Sequence, residues 1–475
     1  MSGKRLSVFI ALAVAATAAA VAGASSAAGA DAASTYLVLY KGTSVPVDAA
    51  KTVADAGGTL VQSYDRIGVV VARSASASFA GQLGQDRRIE GVSSTAGLAT
   101  QLTEEVEAAP AIAPAAPWGD PLSGLQWDMV QIHVPEAYAV NAGSPSVVVG
   151  DLDTGLDWSH PDLAANVDFG KSVSCEGGVP NQSPAAWMDN NGHGTHTAGT
   201  IAADDNGIGI VGVAPDVKIA GIKTSNDDGF FFPEAVVCAF MWAADHGIDV
   251  TNNSYFADPW LFNCLNDPEQ RAIWKAEQRA IRYAMQQGVA VVAAQGNQNL
   301  DLSKQNIDVI SPDFPPGEAQ RREVTNACKV VPVEVPGVIG VTANGNLLQK
   351  AYYSNYGVGV ADVTAPGGDR RFQLTPAAPN GFVLSTVPGG YAYAQGTSMA
   401  SPHVAGVAAL AISAHGKMSP GALEALIQRT ADGQDCPPNP FNPGPPFVFQ
   451  AICAGGAGYN GFYGHGQVNA LSAVS

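Results

Sequence analysis

Positive charge is scarce in this chain. Lys and Arg number 24 against 42 Asp and Glu, the formal net charge is -18, and charged residues of either sign make up only 14% of the sequence. Nucleic acid and anionic membrane both need a basic face, so neither is expected as a partner. Long apolar runs are as few: beyond Val8 to Ala22 no stretch is long and apolar enough to cross a bilayer. The six cysteines (Cys175, Cys238, Cys264, Cys328, Cys436 and Cys453) contain no C-x-x-C pair, which argues against a zinc site or a redox motif. The chain has no internal repeat, no His-Glu-x-x-His pair of a zinc protease and no Gly-x-Ser-x-Gly elbow of an α/β-hydrolase. What it has in quantity is apolar residues, 46% of 475, ample for a large core shared among two or three units.

The apolar run follows Lys4 and Arg5 and leads to Ala28-Gly29-Ala30. A charged start, an apolar centre and small residues make a secretory signal peptide, expected over 1–30, and about 15 apolar residues are short for a membrane anchor. Export places the protein outside the cell and permits disulfides, although six cysteines allow fifteen pairings and spacing alone selects none. A small α+β unit is expected over 31–102. Its strand segments are Tyr36–Lys41, Ile67–Ala72 and Ile89–Ser93 and its helices Val47–Ala56 and about Ala75–Leu83, in the β-α-β-β-α-β order of ferredoxin-like folds. Residues 103–119 hold three glutamates and alternating Ala and Pro, and read as an exposed, extended linker open to cleavage.

From 120 to 475 strands and helices alternate. Val147–Leu152 and Val217–Ile222 are strand runs; Glu234–His246 is a helix stopped by Gly247; Ile248–Asn253 is a strand; Glu269–Gln287 is a helix stopped by Gly288; Val289–Ala294 is a strand. Right-handed crossovers follow, giving a doubly wound, mostly parallel α/β sheet covered on both faces.

Four short segments carry chemistry: Asp153-Thr154-Gly155, His193-Gly194-Thr195-His196, Gly296-Asn297, and the octapeptide Gly396-Thr397-Ser398-Met399-Ala400-Ser401-Pro402-His403. A hydroxyl is a weak nucleophile at neutral pH. An imidazole must take its proton, a carboxylate must hold the imidazole in one tautomer, and a fixed donor must meet the oxyanion that forms. Asp153 ends a buried strand run, where an open α/β sheet presents its functional groups, with Asp151 a competitor two residues earlier. His193 and His196 share a helix face, for which a metal pair is the alternative. Ser398 heads a small-residue stretch with Val404, Val407 and Leu410 on helical spacing. A helix starting there exposes the hydroxyl and turns backbone amides toward an oxyanion.

In the order Asp…His…Ser, these motifs resemble those of the subtilisin-like serine proteases, the subtilases, and the likeness covers nearly all of 120–475. Further matches are Ser159-His160-Pro161-Asp162-Leu163 and Ala365-Pro366-Gly367. The resemblance implies a subtilisin-like sheet preceded by an inhibitory prodomain, with Asp153 orienting, His193 as base, Ser398 as nucleophile and Asn297 as oxyanion donor. His196 becomes a structural neighbour. Ser254, Tyr255 and Gly296 lie where the family binds substrate backbone as an added strand.

The implied activity is that of a secreted, monomeric serine endopeptidase acting on proteins or peptides, self-processed from a precursor and inhibited by its own prodomain. A structural calcium ion is also implied, held by Asp162, the Asn206 side chain and backbone oxygens of Asp204, Ile208 and Ile210. Ser123 falls nearest the family's N-terminal ligand. Alignment to the family puts Cys175 in the loop before His193 and Cys238 in the helix beneath it, brings Cys264 and Cys328 to one rim, and leaves Cys436 with Cys453 as a local clip. Insertions after Tyr255 and from Gln298 to Val335 flank the cleft, so the depth of its pockets is not inherited. The competing class is a catalytically silent binding protein on the same fold.

Overall fold

The computed structural model describes residues 33–95, 105–109, 116, 118–312, 317 and 319–475; the expected signal peptide lies outside the described residues. The amino-terminal unit has strands β1 (Ser34–Tyr40), β2 (Thr59–Tyr64), β3 (Val69–Ser74) and β4 (Ile89–Ser94), with helices α1 (Ala49–Asp55) and α2 (Phe79–Leu83). Its antiparallel sheet runs in the order β2-β3-β1-β4, the ferredoxin-like arrangement. Strand alternation gives the sheet two apolar faces. Val38 and Tyr40 pack with Val53, Phe79 and Leu83 under the unit's own helices, whereas Leu37 and Leu39 join the core of the larger unit. β2 carries no distinct sequence signal because it is an edge strand, mostly half-exposed, with polar Gln62 and Ser63 in its middle.

The larger unit is built on seven strands: β6 (Val148–Asp153), β7 (Val173–Ser174), β8 (Lys218–Lys223), β9 (Val250–Asn253), β11 (Ala290–Ala294), β13 (Ile339–Asn344) and β14 (Val363–Pro366). They lie in the order β14-β13-β11-β9-β6-β8-β7, and each paired neighbour is parallel. Helices α3 (His193–Ala202) and α6 (Thr397–His415) cover one face, and α4 (Pro233–Asp245) and α5 (Pro268–Gln286) the other. In β6, Val149 packs into the first layer while Val148 and Leu152 pack into the second. Burial on both faces explains why these strands read as unbroken apolar runs. Among the described residues no helix is long and apolar enough to cross a membrane.

The amino-terminal unit docks on α4 and α5. Leu37, Leu39, Val69 and Val71 enter one core cluster with Val236, Phe240 and Trp274. Polar contacts ring this patch: Tyr64 Oη donates to Gly178 O at 2.7 Å, Arg279 Nη1 donates to Tyr40 O at 2.8 Å, and Lys275 pairs with Glu90. Residues Glu105–Ala108, within the expected linker, form β5. This strand pairs antiparallel with β16 (Gly390–Gln395), itself the partner of β15 (Val383–Val387). Backbone pairing joins it to the sheet and Val106 is 65% exposed, so a pattern of buried side chains had little to mark.

Disulfides join Cys175 to Cys238, Cys264 to Cys328 and Cys436 to Cys453, the pairing implied by alignment to the family. Each is worth about 2–4 kcal/mol. Cys264 and Cys328 lie on β10 (Asn263–Cys264) and β12 (Cys328–Lys329), a two-stranded antiparallel clip between the two insertions.

Candidate active site

The carboxyl ends of β6, β9 and β11 deliver Asp153, Asn253-Ser254 and Ala294 to one edge of the sheet, where open α/β sheets bind ligands. His193 is the first residue of α3, and Ser398 the second of α6. His193 Nδ1 donates to Asp153 Oδ1 at 2.6 Å, which fixes the tautomer because a carboxylate only accepts. Thr154 N donates to the same oxygen at 2.7 Å. Asp153 is fully buried; burial pushes its carboxyl up, and His193 beside it pulls the other way.

Asp151 does not compete for this role. Its Oδ2 accepts from Thr197 Oγ1 at 2.7 Å and its Oδ1 from Asn252 Nδ2 at 2.9 Å, tying α3 to β9. Burial, and then the charge of Asp153, hold the Asp151 carboxyl well above its ordinary value. His196 is buried with Nε2 at 3.2 Å from Ala392 O, and no group of three His, Cys, Asp or Glu side chains suited to a metal ion occurs among the described residues.

The small residues of the motifs let these segments touch. Gly155 has φ +119°, and a Cβ there would lie 2.7 Å from Trp187 O; a Cβ on Gly194 would lie 2.2 Å from Gly155 O. At this approach Gly194 N donates to Thr154 Oγ1 at 2.8 Å. Asp189, which the sequence did not single out, organises the loop. Its Oδ1 accepts from Thr154 Oγ1, Asn191 N and Gly192 N, and its Oδ2 from Thr195 N and Oγ1, at 2.7 to 3.0 Å. The run Asp189-Asn190-Asn191-Gly192 is the signal that was available, since Asp and Asn hydrogen-bond their own backbone in turns.

Ser398 is 2% exposed. Its Oγ donates to Ser254 O at 3.2 Å, and Ser254 Oγ donates to Ser398 O at 2.9 Å. Asn297 Oδ1 accepts from Thr397 N and Thr397 Oγ1, both at 2.9 Å, which leaves the Nδ2 end of the amide as its donor. Gly296 N donates to Thr397 Oγ1 at 2.9 Å. His403, at the end of the octapeptide, is buried between Met399 O at 2.8 Å and Asp128 Oδ2 at 2.9 Å. A cleft of about 620 Å³ opens on His193, His196, Phe231 and Met399, and a far smaller cavity is shared by Ser254, Tyr255, Gly296, Asn297 and Ser398. Asp153 and His193 thus pair at the sheet edge that carries Ser254, Asn297 and Ser398, and Met399, next to Ser398, lines the cleft that opens on His193.

The residues expected around calcium also converge. Asp204 N donates to Asp162 O at 2.8 Å, Ile210 N to Asp162 Oδ2 at 3.0 Å, and Asn206 Nδ2 to Pro161 O at 3.2 Å. Asp162 Oδ1 is buried with no hydrogen-bond partner among the described residues, and burial pushes this carboxyl up. Asn206 Oδ1 accepts from Ile208 N at 3.1 Å. From the N-terminal side Leu122 N donates to Gly209 O at 2.7 Å, and the Asp120 carboxylate accepts from Asn206 N and Gly207 N at 3.1 and 2.8 Å. Ser123, nearest by ungapped counting, makes no such bond; its buried Oγ has no partner.

The subtilase family profile matches residues 144–466. Fervidolysin from Fervidobacterium pennivorans is 31% identical over 332 residues, 67% of this chain and 42% of fervidolysin. Subtilisin DY from Bacillus licheniformis is 33% identical over 321 residues, 67% of this chain and 92% of the relative. The match thus spans less than half the length of fervidolysin. The structure of the epidermin leader peptide processing serine protease of Staphylococcus aureus superimposes with a TM-score of 0.69 at 23% identity, over 93% of this chain and 98% of that one. With the family profile and its four motif segments gathered at one sheet edge, the chain belongs to the subtilase family.

Proposed function

We propose that the protein is a secreted serine endopeptidase made as a self-processing precursor. The observation that carries this reading is the 2.6 Å bond between His193 and Asp153 at the sheet edge where Ser398 heads a helix beside Asn297. His193 Nε2 takes the Ser398 hydroxyl proton as Oγ bonds to the peptide carbonyl carbon. The carbonyl electron pair moves to oxygen, where Asn297 Nδ2 and the Ser398 backbone N–H meet it. His193 then returns the proton to the departing amine as the C–N bond breaks, and water hydrolyses the acyl-enzyme by the reverse route. Incubation with an unfolded protein substrate tests the reading. Cutting that a fluorophosphonate stops is expected; no cutting by folded, processed protein favours the silent binding class.

Processing follows from the path of the chain. β4 ends at Ser94 on the amino-terminal unit, and β5 begins at Glu105, opposite Gln395, three residues before Ser398. Cleavage in the expected 103–119 linker, or in the stretch just before it, would free the amino-terminal unit. The released amino-terminal unit then acts as an inhibitor, and its grip depends on pH. Glu234, 5% exposed at the start of α4, hydrogen-bonds Thr95, and burial raises its carboxyl to about 7. Because the docked state favours the protonated form, docking is strongest at low pH, weakens as pH rises from about 4.5 to 7, and levels off above. An inhibition constant that rises with pH over that range is expected, and Glu234→Gln should flatten the profile. A flat profile for the unmodified protein contradicts this.

Calcium belongs to the same proposal. The ion would lie between Asp162 and the Asp204–Ile210 loop, with Asp120 in place of the expected N-terminal ligand, and would supply charge neutralisation rather than chemistry. Ligand linkage then makes the melting temperature rise between excess chelator and millimolar calcium, by several degrees, and Asp162→Asn removes the response. An unchanged melting temperature rejects the site.

A further inference from the structure

The cavity beside the nucleophile is very small. Ser254, Tyr255, Phe256, Ala294, Gln295, Gly296, Asn297, Val330, Thr397 and Ser398 surround it, and its volume is about 10 Å³. That is about the room one water needs. A substrate lying along Ser254-Tyr255 with its carbonyl between Ser398 Oγ and Asn297 Nδ2 points the acyl-side residue's side chain into this space, because the same residues line both.

Two side chains line it from outside the motif segments. Phe256 is 4% exposed and Val330 2% exposed. Neither can swing away easily. Ala257 N donates to Val331 O at 2.9 Å, joining the two segments directly. The Glu334 carboxylate accepts from Val330 N at 2.8 Å and from Lys329 Nζ at 2.9 Å, and Glu334 N donates to Val330 O at 3.0 Å. Two residues before Val330, Cys328 is tied to Cys264, and Asn263 pairs with Lys329 across the β10–β12 clip. Tyr255 beneath is fixed too, its ring stacked on Phe231 at 4.3 Å and its hydroxyl at 3.2 Å from Asn253 Oδ1.

We propose that Val330 and Phe256 are specificity-determining residues that restrict cleavage to bonds following a residue with a small side chain, glycine, alanine or serine. The inference rests on the endopeptidase reading above and deepens it. A tightly packed wall resists extra methylenes, and each ill-fitting one costs about 10- to 200-fold in kcat/KM.

The test is digestion of a diverse peptide library by the mature protein, with active sites counted by a fluorophosphonate and cut bonds read by mass spectrometry. Cuts concentrated after Gly, Ala and Ser are expected, with kcat/KM after Leu or Phe at least 100-fold lower. Val330→Gly, and separately Phe256→Ala, should raise cutting after Leu at least tenfold relative to Ala. Comparable cutting after Leu, Phe or Arg by the unmodified protein overturns the inference and leaves the endopeptidase reading intact. A library left uncut, with Ser398 unlabelled, overturns both.

Discussion

Ser398→Ala is expected to yield a full-length chain that stays uncut in a protease-deficient host, with peptide hydrolysis lower by about 10⁶-fold. The fold should survive. Among the described residues the hydroxyl makes one hydrogen bond, to Ser254 O at 3.2 Å, so its removal costs about 1 kcal/mol and the melting temperature of matched precursors barely moves. Gel mobility and intact mass separate the outcomes. Prompt appearance of mature-length protein from the alanine variant would mean that another protease, or another residue, makes the cut at the linker.

The second large effect separates two neighbouring carboxylates. Asp153→Asn keeps the shape but offers His193 Nδ1 an amide, which favours the wrong tautomer and cannot stabilise the imidazolium; a fall of about 10⁴ in kcat is expected. Asp151→Asn removes one of two acceptors, those for Thr197 and Asn252, and leaves the imidazole alone. Its expected cost is about 1–3 kcal/mol of stability, with kcat per titrated site within about tenfold of normal. Steady-state kinetics alongside thermal melts reads both. Equal losses of kcat from the two substitutions would show that Asp153 has no special part.

The contrast also shows what the sequence made legible. Asp151 and Asp153 both lie on one strand, and spacing alone left the choice open; only the Thr-Gly that follows Asp153 favoured it. The structure supplies the physical reason, since Thr154 Oγ1 and the space at Gly155 are what let α3 dock with His193 against Asp153. Apolar runs of the parallel strands gave the sheet, because burial on both faces leaves no polar interruption. Elements with few buried side chains left no trace: β2 at a sheet edge and β5 with Val106 in solvent are examples. Asp189 and Asp120 escaped for a related reason. Each serves several backbone N–H groups, a role that requires one carboxylate and no repeating pattern around it. Pocket depth was unreadable because Phe256 and Val330, 74 residues apart in the chain, line the same small cavity.

The most direct measurement of the central claim is titration of the mature protein with a fluorophosphonate, followed by peptide mapping of the adduct. One equivalent bound, carried on Ser398, with proteolysis lost in proportion to labelling, is the predicted result. Full proteolysis remaining after Ser398 is labelled, or an adduct on any other residue that accounts for the loss, would contradict it.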